Sequence, residues 1–379
     1  MKLVLASGGS GGHISPALAL GEEWVNRGGD VLYIGGDRGV EKELLKNRDY
    51  PFRTISASPL PRSLTPALLR SGMDNFRAFR QACRYLKEHR PVAVMGTGSY
   101  ASAPTVMAAL WQNIPTAIHE QNSYPGLANR LLARKVDMIA VSYSASRSFF
   151  PDSADDKIHV TGNPVRKSML NVSSQEARQK MSIPDEAFTM LVAGGSQGAR
   201  KINRWMIESY EELIDLKDFY ILHITGRRDY EDVIKLASEK LSNAMLEKIH
   251  FISFCENMEY AMTTADIFVG RAGATTLAEI TALGVPAILI PYPHAASNHQ
   301  KKNARHLEEK GAANVILEEN YDNKEFISMV ERMYRNQEYL EKMSSRSAEL
   351  GRQNSAGEIV DLLFDLLENS AKAGGDCSG

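Results

Sequence analysis

Lys2 to Ser10 reads KLVLASGGS, and Met190 to Ser196 reads MLVAGGS. Each is a short apolar run of strand character that breaks into a glycine loop. A helical pattern follows each loop, Ala17 to Val25 in the first case and Asn203 to Leu213 in the second. Two strand–loop–helix openings about half a chain apart predict two α/β domains built alike, each a doubly wound parallel sheet. Outward from these openings, the first half offers Val31–Ile34, Val92–Met95, Thr116–Ile118 and Met138–Val141 as strands. The second offers Tyr220–Ile224, His250–Ile252, Ile267–Val269 and Ala287–Ile290. The run Thr161-Gly162-Asn163-Pro164-Val165 carries turn residues and a proline, so the boundary is expected there, with a first domain over 1–163 and a second over 164–350. Phe326 to Leu367 is helical in character; the stretch 351–370 is expected to pack back toward the first domain, and 371–379 to form a flexible tail.

At 379 residues and 43% hydrophobic content, the chain can bury two sizeable cores. A formal net charge of -2 argues against bulk binding of nucleic acid. Cys83, Cys255 and Cys377 are far apart and form no C-x-x-C pair, so neither a zinc site nor a disulfide framework is indicated, and a reducing cytosol fits. The N-terminal MKLVLASGG is too short for a signal peptide, and no apolar run approaches a membrane span. A soluble cytoplasmic protein is expected, one that can still sit on a membrane surface.

The loop Ser7 to His13, SGGSGGH, matches neither G-x-G-x-x-G nor the P-loop, because no Lys-Ser/Thr follows. Four glycines in five positions exceed what a tight turn needs and point to a ligand approaching the backbone, often a phosphate. Pro16 is expected in the first turn of the helix that follows. His13 closes the loop at the C-terminal edge of the first strand, where α/β sheets place their ligands, and an imidazole exchanges protons near neutrality. It is a candidate base; the alternative is a helix-start histidine bonded to backbone. His119-Glu120-Gln121-Asn122 stands at another strand end. His119 and Glu120 are candidates for catalytic or supporting groups, against a purely structural network.

Gly270 to Gln300 reads GRAGATTLAEITALGVPAILIPYPHAASNHQ. Gly273, Ala274, Thr275 and Thr276 form a small-residue turn opening a helix, Leu277 to Leu283, that Gly284 stops. Such a turn presents N–H groups and the positive dipole end, which suits a diphosphate. Glu279 is placed to accept hydrogen bonds from a ribose. In the second glycine loop Ser196 is a phosphate donor, and Arg166, just past the interdomain turn, is a further candidate. Asp155-Asp156, Asp229 and Asp232 form no D-x-D pair and read as solvated loop charges, so no anchor for a divalent ion is expected.

Between Pro61 and Arg90 the chain is one-signed. Arg62, Arg70, Arg77, Arg80, Arg84, Lys87 and Arg90 stand against only Asp74 and Glu88. Leu64, Leu68, Leu69, Phe76 and Phe79 add apolar bulk. Basic residues beside exposed apolar ones suit an anionic membrane surface; the alternative is a domain helix with its phenylalanines in the core.

Together, GGSGGHISPALAL, HEQNSYPGLANR, GNPVR, GGSQGARKIN and GRAGATTLAEITALGVPAILIPYPHAASNHQ resemble, in order, the MurG family of peptidoglycan N-acetylglucosaminyltransferases, glycosyltransferases of family 28 type. The resemblance runs from Ser7 to about Ala313. It implies a GT-B fold, two Rossmann-like domains facing across a cleft. It implies metal-free, inverting transfer of GlcNAc from UDP-GlcNAc onto lipid I, the undecaprenyl-diphosphate-linked muramyl pentapeptide, to give lipid II at the cytoplasmic face of the membrane. Other cell-wall or division proteins are further expected partners. By the same resemblance Ser10, Gly11 and Gly12 face donor and acceptor, Asn122 contacts the donor sugar, and Arg166 and Ser196 contact uridine diphosphate. Ala274, Thr275, Thr276, Leu277, Ala278 and Glu279 form the donor turn and helix, Gln300 lies near the GlcNAc hydroxyls, and Cys255 stands where a backbone group meets uracil. Ser99 and Ala272 replace residues common in the family. A UDP-GlcNAc 2-epimerase, a diacylglycerol glycosyltransferase and a non-catalytic nucleotide-sugar sensor are the alternatives.

Overall fold

The structure, a computed structural model, describes residues 1–9, 11–37, 50–59, 66–195, 198–295 and 298–375. It divides into two units, Met1–Lys167 with Arg352–Gly379, and Ser168–Gly351. Each is built on one parallel sheet, so the fold class read from the two openings holds.

Among the described residues the sheet of the first unit has seven strands: β1 (Lys2–Ala6), β2 (Asp30–Gly36), β3 (Phe52–Ile55), β4 (Ala93–Gly96), β5 (Thr116–Glu120), β6 (Met138–Val141) and β7 (Ile158–Val160). Their spatial order is β3-β2-β1-β4-β5-β6-β7, every pairing parallel. The runs LVLA and AVM are fully buried because helices cover both faces, which is why the inner strands are continuously apolar rather than alternating. The sheet of the second unit has β8 (Phe188–Ala193), β9 (Phe219–Ile224), β10 (Ile249–Ile252), β11 (Ile267–Gly270), β12 (Ala287–Leu289) and β13 (Ala313–Val315), ordered β10-β9-β8-β11-β12-β13. In each sheet the strand order reverses beside the opening strand, between β1 and β4 and between β8 and β11. Loops leaving the carboxyl ends of those pairs are where such sheets bind ligands.

Helices complete the layers and refine the sequence reading at three places. The first helix starts at Gly11, not near Ala17, so Pro16 lies inside Gly11–Asn26 rather than in its first turn. Its ring cannot donate to the carbonyl of Gly12. The helical C-terminal region is three helices, Asn323–Arg335, Gln337–Leu350 and Ser355–Gly375. The segment Thr161–Val165 is buried in the first unit, and the division falls after Lys167.

Ser355–Gly375 packs on Gly11–Asn26. Phe364 stacks on Trp24 with ring centroids 4.9 Å apart, and Ile359, Val360 and Leu363 join the cluster of Leu3, Leu5, Ile14 and Leu20. Arg27 pairs with Asp361 and, at 2.8 Å, with Glu23, which Lys167 also meets at 2.6 Å.

Candidate functional site

In the first unit the loops after β1, β4 and β5 carry one polar network. His13, in the first turn of Gly11–Asn26, has Nδ1 3.0 Å from the carbonyl of Thr97 and 3.1 Å from Oε1 of Gln121. Thr97 returns its hydroxyl to the carbonyl of His13 at 2.8 Å. Gln121 donates Nε2–H to Thr97 O at 2.7 Å and to His119 Nδ1 at 3.0 Å, and His119 Nε2 meets the carbonyl of Gly162 at 3.0 Å. Gly98 makes room for the ring: its φ is +85°, and a Cβ there would lie 3.0 Å from His13 Nδ1.

The carbonyls at both ends only accept, and this fixes every proton between them. Gly162 requires Nε2–H on His119, whose Nδ1 then accepts from Gln121. Gln121 Oε1 is left to accept, so His13 carries Nδ1–H. Its Nε2, with its lone pair, lies outside the network.

His119 and Glu120 were candidates beside His13, and the geometry removes both from direct contact with a substrate. His119 is fully buried with both ring nitrogens engaged, and burial lowers its pKa to about 4. Glu120 is 2% exposed. Its Oε1 accepts from Asn122 N at 3.0 Å and Asn122 Nδ2 at 3.2 Å, its Oε2 from Gly126 N and Asn129 Nδ2, each at 2.9 Å. A carboxylate so saturated organises the loop and presents Asn122; it has no lone pair to spare for a proton. Gly11 and Gly12 stand in the first turn beside His13, and Arg166 is half-buried just before the unit boundary. Ser10 lies outside the described residues.

In the second unit the loop from Arg271 leads into the helix Ala274–Leu283. Gly273 is its N-cap, in extended conformation with no side chain to bond the first-turn N–H groups, and Gly284 closes it with φ +70°. Thr275, Thr276 and Ala278 are half-buried on this helix and Glu279 is buried in its second turn, whereas Leu277 is 1% exposed. Leu277 therefore belongs to the core, and only its backbone can meet a ligand. Gln300 accepts from the backbone N–H of Tyr292 at 2.9 Å, tying the preceding loop to the helix His299–Glu309. Arg271 braces the same region: it donates to the carbonyl of Ile290 at 3.1 Å and pairs with Glu318 at 2.5 Å. Half-buried Cys255 follows Phe254, whose ring carries the Arg227 guanidinium at 4.3 Å.

The second glycine loop is held from below by a buried chain that sequence reading missed. Asn203 donates to the carbonyl of Thr225 at 2.9 Å, and a Cβ on Gly198 (φ +78°) would come 2.4 Å from that carbonyl. Asp229 is buried at 1% exposure under the loop, 3.4 Å from Asn203 Nδ2 and paired with Arg228. The expectation of a solvated charge fails at this position: the helix Arg200–Ile214 folds over it and supplies the polar partners. Asp232 is exposed and pairs with Arg200 at 2.6 Å. Ser196 lies outside the described residues.

The basic segment forms the helix Pro66–His89. Ala78, Ala82 and Leu86 face the core, leaving Leu69 at 78%, Met73 at 59% and Phe76 at 62% exposure on the outer side. Arg70, Arg77, Arg80 and Arg84 are exposed with them. Phe79 is not part of this stripe: it is half-buried and packs against the core, one position from Ala78. Leu68 is half-buried, and Leu64 lies outside the described residues. The neighbouring helix Ser102–Trp111 adds exposed Met107 and Trp111, which composition alone did not flag. Among the described residues no helix is long and apolar enough to cross a membrane.

Comparison with known proteins matches the chain on both units. The sequence pattern of the glycosyltransferase family 28 N-terminal domain matches residues 3–141, and that of the family 28 C-terminal domain matches residues 189–360. A UDP-N-acetylglucosamine–N-acetylmuramyl-(pentapeptide) pyrophosphoryl-undecaprenol N-acetylglucosamine transferase from Halothermothrix orenii is 41% identical over 371 residues, covering 98% of this chain and 100% of that one. The chain belongs to the MurG family. Among solved structures, Acinetobacter baumannii MurG superposes with a TM-score of 0.70 at 27% identity, over 96% of this chain and 99% of that one. A UDP-GlcNAc 2-epimerase from Neisseria meningitidis, at 16% identity and a TM-score of 0.68 over 96% of this chain and 100% of that one, shares the fold. The MurG family and that epimerase thus use one architecture.

Proposed function

We propose that this chain transfers N-acetylglucosamine from UDP-GlcNAc to the 4-hydroxyl of the N-acetylmuramyl group of lipid I, giving lipid II with inversion. The observation that carries this reading is His13 itself, in a MurG-family chain. Its ring is held by Nδ1 at the reversal point of the first sheet, with Nε2 left to accept a proton. The acceptor O4 attacks the anomeric carbon in line, forming the new O–C bond while the bond from that carbon to the diphosphate oxygen breaks. The hydroxyl proton passes to His13 Nε2, and UDP leaves with the electron pair. The N–H groups that open the helix Ala274–Leu283 stabilise the departing diphosphate, Glu279 holds the ribose, and no divalent ion takes part. Gln300, on the same unit as Glu279, contacts the donor sugar.

Lipid I cannot leave the bilayer, so the enzyme works as a peripheral protein at the cytoplasmic face. The stripe of Leu69, Met73 and Phe76 among Arg70, Arg77, Arg80 and Arg84 supports that placement. The deciding experiment follows UDP release from UDP-GlcNAc with and without a lipid I analogue. Release that requires the acceptor and yields the disaccharide supports the proposal. Consumption of UDP-GlcNAc without acceptor would instead make the chain an epimerase.

A further inference from the structure

The network around His13 has more members than a proton acceptor needs. His119 is fully buried and never reaches a substrate, yet both its ring nitrogens are committed. Gln121, 1% exposed, commits both amide hydrogens, to Thr97 and His119, and its oxygen, to His13. A buried amide and a buried imidazole placed in series are costly unless every position is satisfied, and here each one is.

We propose that Gln121 and His119 are positioning residues that set the tautomer of His13. The proposal rests on the reading of His13 as the proton acceptor. The carbonyls of Gly162 and Thr97 bound a relay in which only one arrangement of protons makes every contact a donor–acceptor pair. In that arrangement Gln121 Oε1 and the Thr97 carbonyl, 3.1 and 3.0 Å away, share the Nδ1–H of His13, and the lone pair stands on Nε2. With Gln121 reversed, its NH2 would face the Nδ1 of His13, and its oxygen would face the carbonyl of Thr97 and the unprotonated Nδ1 of His119. Two acceptors would then confront one another, in a site without water access. His119 acts at one remove: as acceptor at Nδ1 it keeps the Gln121 amide the right way round, and its own Nε2–H is anchored on Gly162. A neutral imidazole in water favours the opposite tautomer only slightly, so a donor turned toward Nδ1 works against the one acceptor that remains there, the Thr97 carbonyl at 3.0 Å, and lets part of the proton population move to Nε2.

The relay is read directly by the ring 15N shifts of His13 in labelled full-length protein, assigned by their loss in His13→Gln. The expected spectrum has a protonated Nδ1 and an unprotonated Nε2 at neutral pH. Gln121→Met, which keeps the volume and removes both amide functions, leaves only the Thr97 carbonyl on Nδ1 and is expected to let the Nε2–H tautomer appear beside the Nδ1–H form. Its kcat should fall about tenfold or more, with KM for UDP-GlcNAc and affinity for UDP unchanged. His119→Phe should do the same, whereas His119→Gln, which offers an acceptor and a donor in similar places, should restore the single tautomer and most of the turnover. A wild-type ring protonated on Nε2 overturns the proposal without any variant, and so does a Gln121→Met protein that keeps Nδ1–H alone. If His13→Ala keeps its turnover while these shifts behave as expected, the relay stands and the assignment of His13 as base fails.

Discussion

The hydroxyl of Tyr210 lies 2.8 Å from Nδ1 of His223, both fully buried in the second unit. His223 Nε2 is 3.1 Å from Oδ1 of Asn203, whose Nδ2 donates to Thr225 O, so Nε2 carries the proton and Nδ1 accepts from the tyrosine. A neutral ring fills every place in this chain, and burial lowers its pKa to about 3.

That sets a sign for stability against pH. In the unfolded chain this ring protonates near its ordinary 6.5, in the fold only near 3, so between those values the unfolded state binds more protons. The contribution is complete above about pH 6.5 and is lost as pH falls toward 3. His119, lowered to about 4, acts in the same direction. Urea unfolding of wild type and His223→Gln at pH 7 and pH 5 checks this. The wild type is expected to lose roughly 2 kcal/mol more than the variant over that interval; equal losses would show that His223 is not held neutral.

Glu279→Ala tests where the nucleotide sits. Loss of a charge-assisted acceptor on the helix Ala274–Leu283 is expected to weaken UDP binding more than tenfold, on the order of 2 kcal/mol, in a folded protein. Calorimetry showing unchanged affinity would move the ribose elsewhere.

How much of this was legible beforehand follows from burial. The inner strands β1, β4, β5, β8 and β11 announced themselves as continuous apolar runs because both of their faces are covered. The strands missed, β3, β7 and β13, lie at sheet edges and read FRTI, IHV and ANV, short and only partly apolar. His13 was visible because its glycine loop sits next to it in sequence. The part played by Gln121 was not, since its contact with His13 spans 108 residues. Glu120 looked catalytic for the same reason: its saturating donors at Gly126 and Asn129 reach it only once the loop has folded. Phe79 was misplaced because composition was read where periodicity decides; Ala78, Ala82 and Leu86 mark the inward face and Met73 the outward one.

Transfer is expected to persist in excess EDTA, since the sequence carries no D-x-D pair and N–H groups are assigned to the leaving diphosphate. Complete loss of activity, restored by magnesium, would require an ion at the diphosphate.

Charge reversal at Arg77, Arg80 and Arg84, three exposed arginines on Pro66–His89, should reduce sedimentation with anionic liposomes, each charge being worth about 1 kcal/mol near the surface. Transfer to membrane-embedded lipid I should slow, while transfer to a short-chain soluble acceptor stays near normal. Equal loss on both acceptors would make the helix a structural element only.

The most direct test of the account is the turnover of His13→Ala, measured as UDP release with UDP-GlcNAc and a lipid I analogue, beside its affinity for UDP. With the proton acceptor gone, turnover is predicted to fall by roughly a hundredfold or more while UDP binds as before. Turnover close to that of the wild type would contradict it, because no other nitrogen or carboxylate among His13, His119 and Glu120 is left open to take the proton.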